Sequence, residues 1–350
     1  MTAQNVKIGL VGVANHGNTI FEAIRASGNL ELVSCFDIDR SAAERVAAAS
    51  GARLASTYEA MLADPAIEAV ALVTPNHLHA SQAALAAAAG KHLFVEKPIA
   101  VNAGEARSMA ALYKRAGLVL LVGHNTRRRQ VFRRARAILE EGALGRLVAM
   151  EGNLSRPAGL QSGLPPWKAD PALCPLLPMT QLGIHLVDTA AYLDSPVRRV
   201  SCMAANRAMP GNVPDTAAAL LELSSGVLFT LSSYYVTPDA YFLRLYGTQA
   251  VLLCSPVRLR LDRLEGEKLV QGPAEDFSAS EGPRSYVLQM REFGECVRSG
   301  REPETGGAEG LHAVAVIEAM SRSAESGATI DLSELLEVQE DPHGHHETVR

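Results

Sequence analysis

Long apolar runs are missing from this 350-residue chain. No stretch approaches the ~20 residues that a membrane-spanning helix requires. The N-terminus also lacks a basic segment leading into an extended apolar one, since its first apolar run, Ile8 to Val13, gives out before Gly17. Cysteine is scarce: Cys35, Cys174, Cys202, Cys254 and Cys296 are scattered, odd in number and free of C-x-x-C spacing. That pattern excludes a disulfide frame or a zinc site and fits reduced intracellular thiols. Tryptophan occurs once, and a net charge of −5 is too weak to build a generic nucleic-acid surface. With 47% apolar and 20% charged residues, the chain reads as cytoplasmic and globular, and at this length two domains are expected.

What is present is alternation. Short apolar runs at 7–12, 31–36, 52–56, 69–74, 92–96 and 118–123 are nearly continuous hydrophobe, as parallel strands covered on both faces must be. Between them lie Ala-rich helical segments. Ser41 with Glu44 and Ser56 with Glu59 have capping-box spacing, and Gly51, Gly90 and Gly117 stand where helices should stop. Strands alternating with helices predict an α/β doubly wound parallel sheet, a Rossmann domain over residues 1–124.

Such a sheet binds its ligand at the carboxyl ends of the strands. The first strand leads into Gly12-Val13-Ala14-Asn15-His16-Gly17, a G-x-G-x-x-G loop with Ala14 at the second glycine. The second strand ends at Asp37, placed to hydrogen-bond an adenosine ribose diol, with Arg40 nearby. This predicts NAD, with NADP possible through Arg40. The fourth run closes on Thr74-Pro75-Asn76, followed by His77 and His79, and the fifth on Glu96-Lys97-Pro98. On a strand, Glu96 and Lys97 would point to opposite faces.

Thr74-Pro75-Asn76 with His79, Gly90-Lys91-His92, Glu96-Lys97-Pro98, and Gly123-His124-Asn125 with Arg127 resemble, in order and spacing, the Gfo/Idh/MocA oxidoreductases. The resemblance runs from about Val6 to Leu332. It implies NAD(P)-dependent redox chemistry on polyols or sugars, with Lys97 in the active site. It also implies Thr74, Pro75, Asn76, His79, Glu96 and Asn125 on the cofactor side, and Arg127 as a substrate contact.

Beyond residue 124, a helix predicted over 130–141 starts within a run of six arginines between Arg127 and Arg136; their lack of interleaved aromatics predicts a solvated face, with Arg127 the exception. Pro157 to Pro178 holds six prolines with Trp167 and Lys168, a long loop read as a substrate-side lid or an anchored connection. A helix predicted over 179–194 puts Gln181, His185 and Asp188 on one face. Gly183-Ile184-His185-Leu186-Val187-Asp188 resembles the family's G-x-H-x-x-D, which makes His185 catalytic; Gln181 stands where many members carry aspartate. Later segments predict a large, mostly antiparallel open sheet closed by helices over 285–300 and 308–327, an α+β substrate and oligomerisation domain spanning 125–338. Its open face suggests a homo-oligomer, dimer or tetramer. Residues 339–350, with His343, His345 and His346, read as a mobile tail and not a metal site.

The expected chemistry is oxidation of a secondary alcohol. His185 takes the proton, Lys97 polarises the oxygen, and Gln181 orients a neighbouring hydroxyl; the Lys97 and His185 roles are interchangeable, because a desolvated lysine also serves as a base. A non-redox NAD-binding sensor and an NAD-dependent glycosidase are the alternatives on the same fold.

Overall fold

The computed structural model describes residues 4–161 and 164–336, so the tail histidines lie outside the described residues. In the first half the apolar runs form β1 (Val6–Val11), β2 (Leu30–Phe36), β3 (Arg53–Leu54), β4 (Ala69–Leu72), β5 (His92–Val95) and β6 (Leu120–Val122). All pair in parallel in the order β3-β2-β1-β4-β5-β6. Strand order reverses between β1 and β4, and the crevice above their carboxyl ends is the topological place for a ligand. The crossovers are α1 (His16–Ser27), α2 (Arg40–Ser50), α3 (Tyr58–Leu62), α4 (His79–Ala88) and α5 (Ala103–Ala116).

Helix starts differ from the expected capping boxes by one or two residues. Asp39, not Ser41, accepts the first amides of α2, from Ser41 and Ala42. Thr57, not Ser56, caps α3 through Ala60. Several residues with acceptor side chains crowd each helix start, and only backbone geometry selects the one in the extended capping conformation. Gly51 and Gly117 end their helices in the left-handed region, while Gly90 takes it just past α4.

The second half holds α6 (Gln130–Glu140), β7 (Leu147–Ser155), α7 (Ile184–Leu193), β8 (Val197–Ala205), β9 (Thr216–Leu223), β10 (Leu228–Tyr234), β11 (Ala240–Gly247), β12 (Ala250–Cys254), β13 (Arg258–Glu265), β14 (Lys268–Val270) and β15 (Ala274–Asp276). It continues with α8 (Ser278–Glu281), α9 (Arg284–Ser299), α10 (Gly307–Ser326), β16 (Ile330–Asp331) and α11 (Ser333–Leu336). The ten-stranded sheet is antiparallel except where β7 lies parallel to β10. The Ser224-Ser225-Gly226 hairpin joins β9 to β10, with Gly226 at φ 88°.

Three expectations are corrected. The helix over 179–194 is not one α-helix, because Met179–Gly183 forms a π-helical turn before α7 begins. The arginine run is not a solvated face: Arg127 pairs with Asp188, Arg128 with Glu292, Arg133 with Glu304, Arg134 with Glu141 and Arg136 with Glu140, and the first two arginines are buried. Tyr192 lies under Arg127, Arg133 and Arg136, so the aromatic partner comes from another helix.

The third correction concerns α9. It does not close the second sheet but returns to the nucleotide half, where Met290, Phe293 and Cys296 are buried in one core with Ile8, Ile20, Ile24 and Phe94. Helix α10 joins the two cores, since Val314 belongs to the nucleotide-side cluster and Val316 and Met320 to the other. Gly307 and Gly310 permit that approach: a Cβ on Gly307 would lie 2.6 Å from Ala110 Cβ, and one on Gly310 2.9 Å from Val122 Cγ2.

Candidate active site

A cleft of about 840 Å³ opens where the β1, β2, β4 and β5 ends face the second half. Gly12, Ala14, Asn15 and His16 form one rim. Gly12 has φ +81°, and a Cβ there would lie 2.6 Å from Val73 O; a Cβ on Gly17 would meet Gly12 O at 2.0 Å. Both glycines are therefore demanded by backbone packing, and Ala14 is tolerated because its side chain only borders the cleft. Val13 and Gly17 shape the loop from outside the lining.

Asp37 lines the cleft and fixes the loop: Oδ2 accepts from Val13 N at 2.7 Å and Ala14 N at 3.0 Å, and Oδ1 from Asp39 N at 2.8 Å. Arg40 is outside the cleft, with Nε on Glu44 at 2.8 Å.

At the β4 end, Thr74, Pro75 and Asn76 reach the cleft. The Asn76 amide nitrogen donates to Leu173 O at 2.8 Å, while its Oδ1 is buried without a partner. An unmet acceptor at this wall suits the amide of a nicotinamide, so the residues present fit a nicotinamide dinucleotide. His79 also borders the cleft, but its nitrogens lie 2.9 Å from Pro98 O and 2.9 Å from Thr74 O. It thereby ties the ends of β4 and β5 together, and burial lowers its pKa.

Strand β5 stops at Val95, so strand alternation does not reach Glu96 and Lys97, and both side chains border the cleft. Glu96 does not pair with the Lys97 amine. Its Oε1 lies 3.2 Å from His16 Nε2 and its Oε2 takes the Lys97 backbone N–H at 3.1 Å. Burial would raise the Glu96 pKa, but the adjoining His16 and the charge of Lys97 bring it below the usual value. A Cβ on Gly123 would sit 2.9 Å from the Glu96 carboxylate, so the glycine leaves room for it. The Lys97–Pro98 bond is cis.

The Lys97 amine crosses to the second half and donates to Gln181 O at 2.9 Å. Lys97 borders the cleft and is half-buried. Burial, only partly offset by Glu96 and joined by the charges of Lys168 and Arg156, lowers its pKa to about 8. His185 faces the same cleft with Nδ1 3.1 Å from Thr126 Oγ1. Burial first, then the charges of Lys97, His124, Arg129 and Arg156, hold His185 well below its ordinary pKa. The Gln181 side chain also lines the cleft, with Nε2 3.5 Å from Cys174 Sγ.

Asn125, Trp167 and Lys168 line the cleft as well, Asn125 donating to Ser285 Oγ at 3.0 Å. Arg127 does not: its guanidinium is held by Asp188 at 2.9 and 2.6 Å, so the expected substrate contact is a buried ion pair. Lining residues that sequence reasoning missed are Thr126, Arg129, Arg156, Tyr235, Tyr241 and Tyr286. Tyr286 comes from α9 and packs edge-on to His16 at 5.6 Å, a contact with no local sequence signal. Among the described residues no His/Cys/Asp/Glu cluster is placed to hold a metal, and no helix is long and apolar enough to cross a membrane.

Two family models match: one described as an oxidoreductase family with an NAD-binding Rossmann fold, over residues 6–124, and the GFO/IDH/MocA C-terminal domain, over residues 132–253. Among curated relatives, D-apiose dehydrogenase of Paraburkholderia graminis is 28% identical, covering 95% of this chain and 92% of its own. Inositol 2-dehydrogenase of Rhizobium meliloti is 26% identical, covering 94% and 99%. A solved levoglucosan dehydrogenase in complex with NADH and levoglucosan superposes with a TM-score of 0.86 at 20% identity, over 94% of this chain and 100% of that one, a likeness of fold.

Proposed function

Since the chain belongs to the Gfo/Idh/MocA oxidoreductases, an NAD(P)-dependent family whose two domain models it matches, we propose that it interconverts a secondary alcohol of a sugar or polyol and the corresponding ketone or lactone. The observation that carries this reading is the convergence of Lys97 and His185, from opposite halves of the chain, on one cleft beside the glycine loop. The bound dinucleotide supplies the hydride acceptor.

The proton falls to the chain's own residues. With a pKa of about 8, Lys97 has an appreciable neutral fraction near physiological pH, and a base poised there is well matched to its task. Charging His185 would add another cation beside Lys97, Arg129 and Arg156. Of the two interchangeable assignments, the electrostatics favour Lys97 as proton acceptor and His185 as a neutral ring that orients the reacting oxygen. In this reading Thr126 Oγ1 donates to Nδ1, which would leave the ring proton on Nε2 to donate to that oxygen. Gln181 orients a second hydroxyl and takes no proton.

The pH dependence separates the assignments. The Lys97 pKa is lowered from 10.5 to about 8, so its neutral form gains population as pH rises. For alcohol oxidation kcat/KM is expected to climb through the range below pH 8 and level above it. A plateau below pH 8 that falls above it would give the base role to His185 and leave Lys97 as the stabilising cation.

Asp37 brings a negative charge to the adenosine end, and Arg40 is turned away onto Glu44. NAD is therefore the preferred cofactor, and equal kcat/KM values with NADP would refute that preference. The outward face of the second sheet carries exposed Met203, Leu220 and Leu228 on adjoining strands, and this face supports a homo-oligomer. Light scattering that returns the monomer mass at micromolar protein would remove that part of the reading.

A further inference from the structure

The charges of the cleft are divided unevenly. Its acids are Asp37 and Asp39, at the β2 end, and Glu96, which is engaged with His16. Residues beyond position 125 contribute Arg129, Arg156 and Lys168, and no acid. Among the described residues, none of these three cations has a carboxylate partner. The contrast with their neighbours is sharp, because Arg127, Arg128, Arg133, Arg134 and Arg136 each have one.

Among the described residues, Arg129 has a buried Nε without a partner and a single side-chain hydrogen bond, from Nη1 to Pro256 O at 3.4 Å, and the guanidinium lies 5.8 Å from the Tyr241 ring. The Lys168 amine stands 5.3 Å from the Trp167 ring. The three cations act on the same place: Lys168 and Arg156 both lower Lys97, and Arg129 and Arg156 both lower His185. Cations left without a carboxylate on one wall of a cleft are an arrangement that a bound anion would complete.

We propose that the substrate carries an oxyanion, a carboxylate or a phosphate, received by Arg129, Arg156 and Lys168. This identification rests on the dehydrogenase reading above and narrows its substrate to acidic sugar derivatives. The planar fork of an arginine matches either oxyanion bidentately. Trp167, Tyr235 and Tyr241 offer apolar surfaces to the sugar ring.

The test is calorimetric binding of D-glucose, D-glucuronate and D-glucose 6-phosphate to the protein saturated with NADH, followed by turnover of the same three with NAD. At least one of the two anions is expected to bind about tenfold more tightly than glucose or better, with the advantage shrinking as salt is raised. The two anionic arms distinguish carboxylate from phosphate. Arg156→Gln and Arg129→Gln are each expected to reduce the anion-to-neutral affinity ratio. Equal or weaker binding of both anions, or an unchanged ratio in the variants, overturns the inference. So do variants that weaken NADH binding and leave the ratio alone, since the cations would then serve the cofactor. Anion-selective binding without turnover of any sugar leaves the inference standing and removes the dehydrogenase reading; preferred turnover of glucose does the reverse.

Discussion

Replacing Lys97 with methionine is expected to lower the oxidation rate about 10²- to 10⁴-fold, the usual contribution of a positioned general base, without lowering the melting temperature at pH 7. The two effects have one origin. Burial disfavours the charged form of the Lys97 amine, and among the described residues its one hydrogen bond is to Gln181 O. A depressed lysine pKa means that folding is opposed while the amine is protonated. That penalty is fully present below the folded value of about 8 and fades as pH approaches the ordinary value near 10.5. The variant's stability advantage should therefore be largest at neutral pH and shrink in alkaline buffer. Turnover within tenfold of the native rate would remove Lys97 from the chemistry.

Asp188→Asn is expected to act on stability instead, with a loss of about 3–5 kcal/mol measured by urea unfolding at pH 7. Asp188 and Arg127 are both buried and joined by two short hydrogen bonds, with His124 Nδ1 at 3.9 Å from the same carboxylate. Burial would raise the Asp188 pKa, but the charges of His124, Arg127 and Arg128 and the Arg127 hydrogen bonds bring it below the ordinary value. Its folded pKa being lowered, the carboxylate contributes stability above the unfolded value of about 4 and loses it as pH falls through the folded one. The native and variant curves should converge in acid. Adding Arg127→Leu to the variant should recover much of the loss, because the uncompensated guanidinium is then gone. A single variant as stable as the native protein would show that the pair contributes little.

The nucleotide half was legible because its signals are local. Apolar runs, glycine stops and the Gly12–Gly17 loop each declare themselves within a dozen residues, and the observed strands fall inside or within a residue of the expected runs. Lys97 and His185 were legible through motifs at strand and helix ends. What stayed hidden depends on partners distant in the chain. Arg128 looks like a surface arginine until Glu292 and Thr305 are brought to it. Glu96 and Lys97 looked divided by strand alternation because nothing in the sequence marks Val95 as the last paired residue. The π-helical turn before His185 keeps the amphipathic pattern of an ordinary helix, so periodicity cannot announce it. Tyr286 reaches the cleft only because α9 crosses back over the first sheet.

That crossing sets the terms on which this enzyme can be recombined. A chimera that exchanged residues 1–124 with a relative's would separate Ile20, Ile24 and Phe94 from the Met290 and Phe293 side chains that cover them. It would also leave Gly307 and Gly310 facing foreign contours of Ala110 and Val122. A graft of the nucleotide half must therefore bring α9 with it and keep the α10 seam at Gly307 and Gly310 matched, because Val316 and Met320 of that helix belong to the second core.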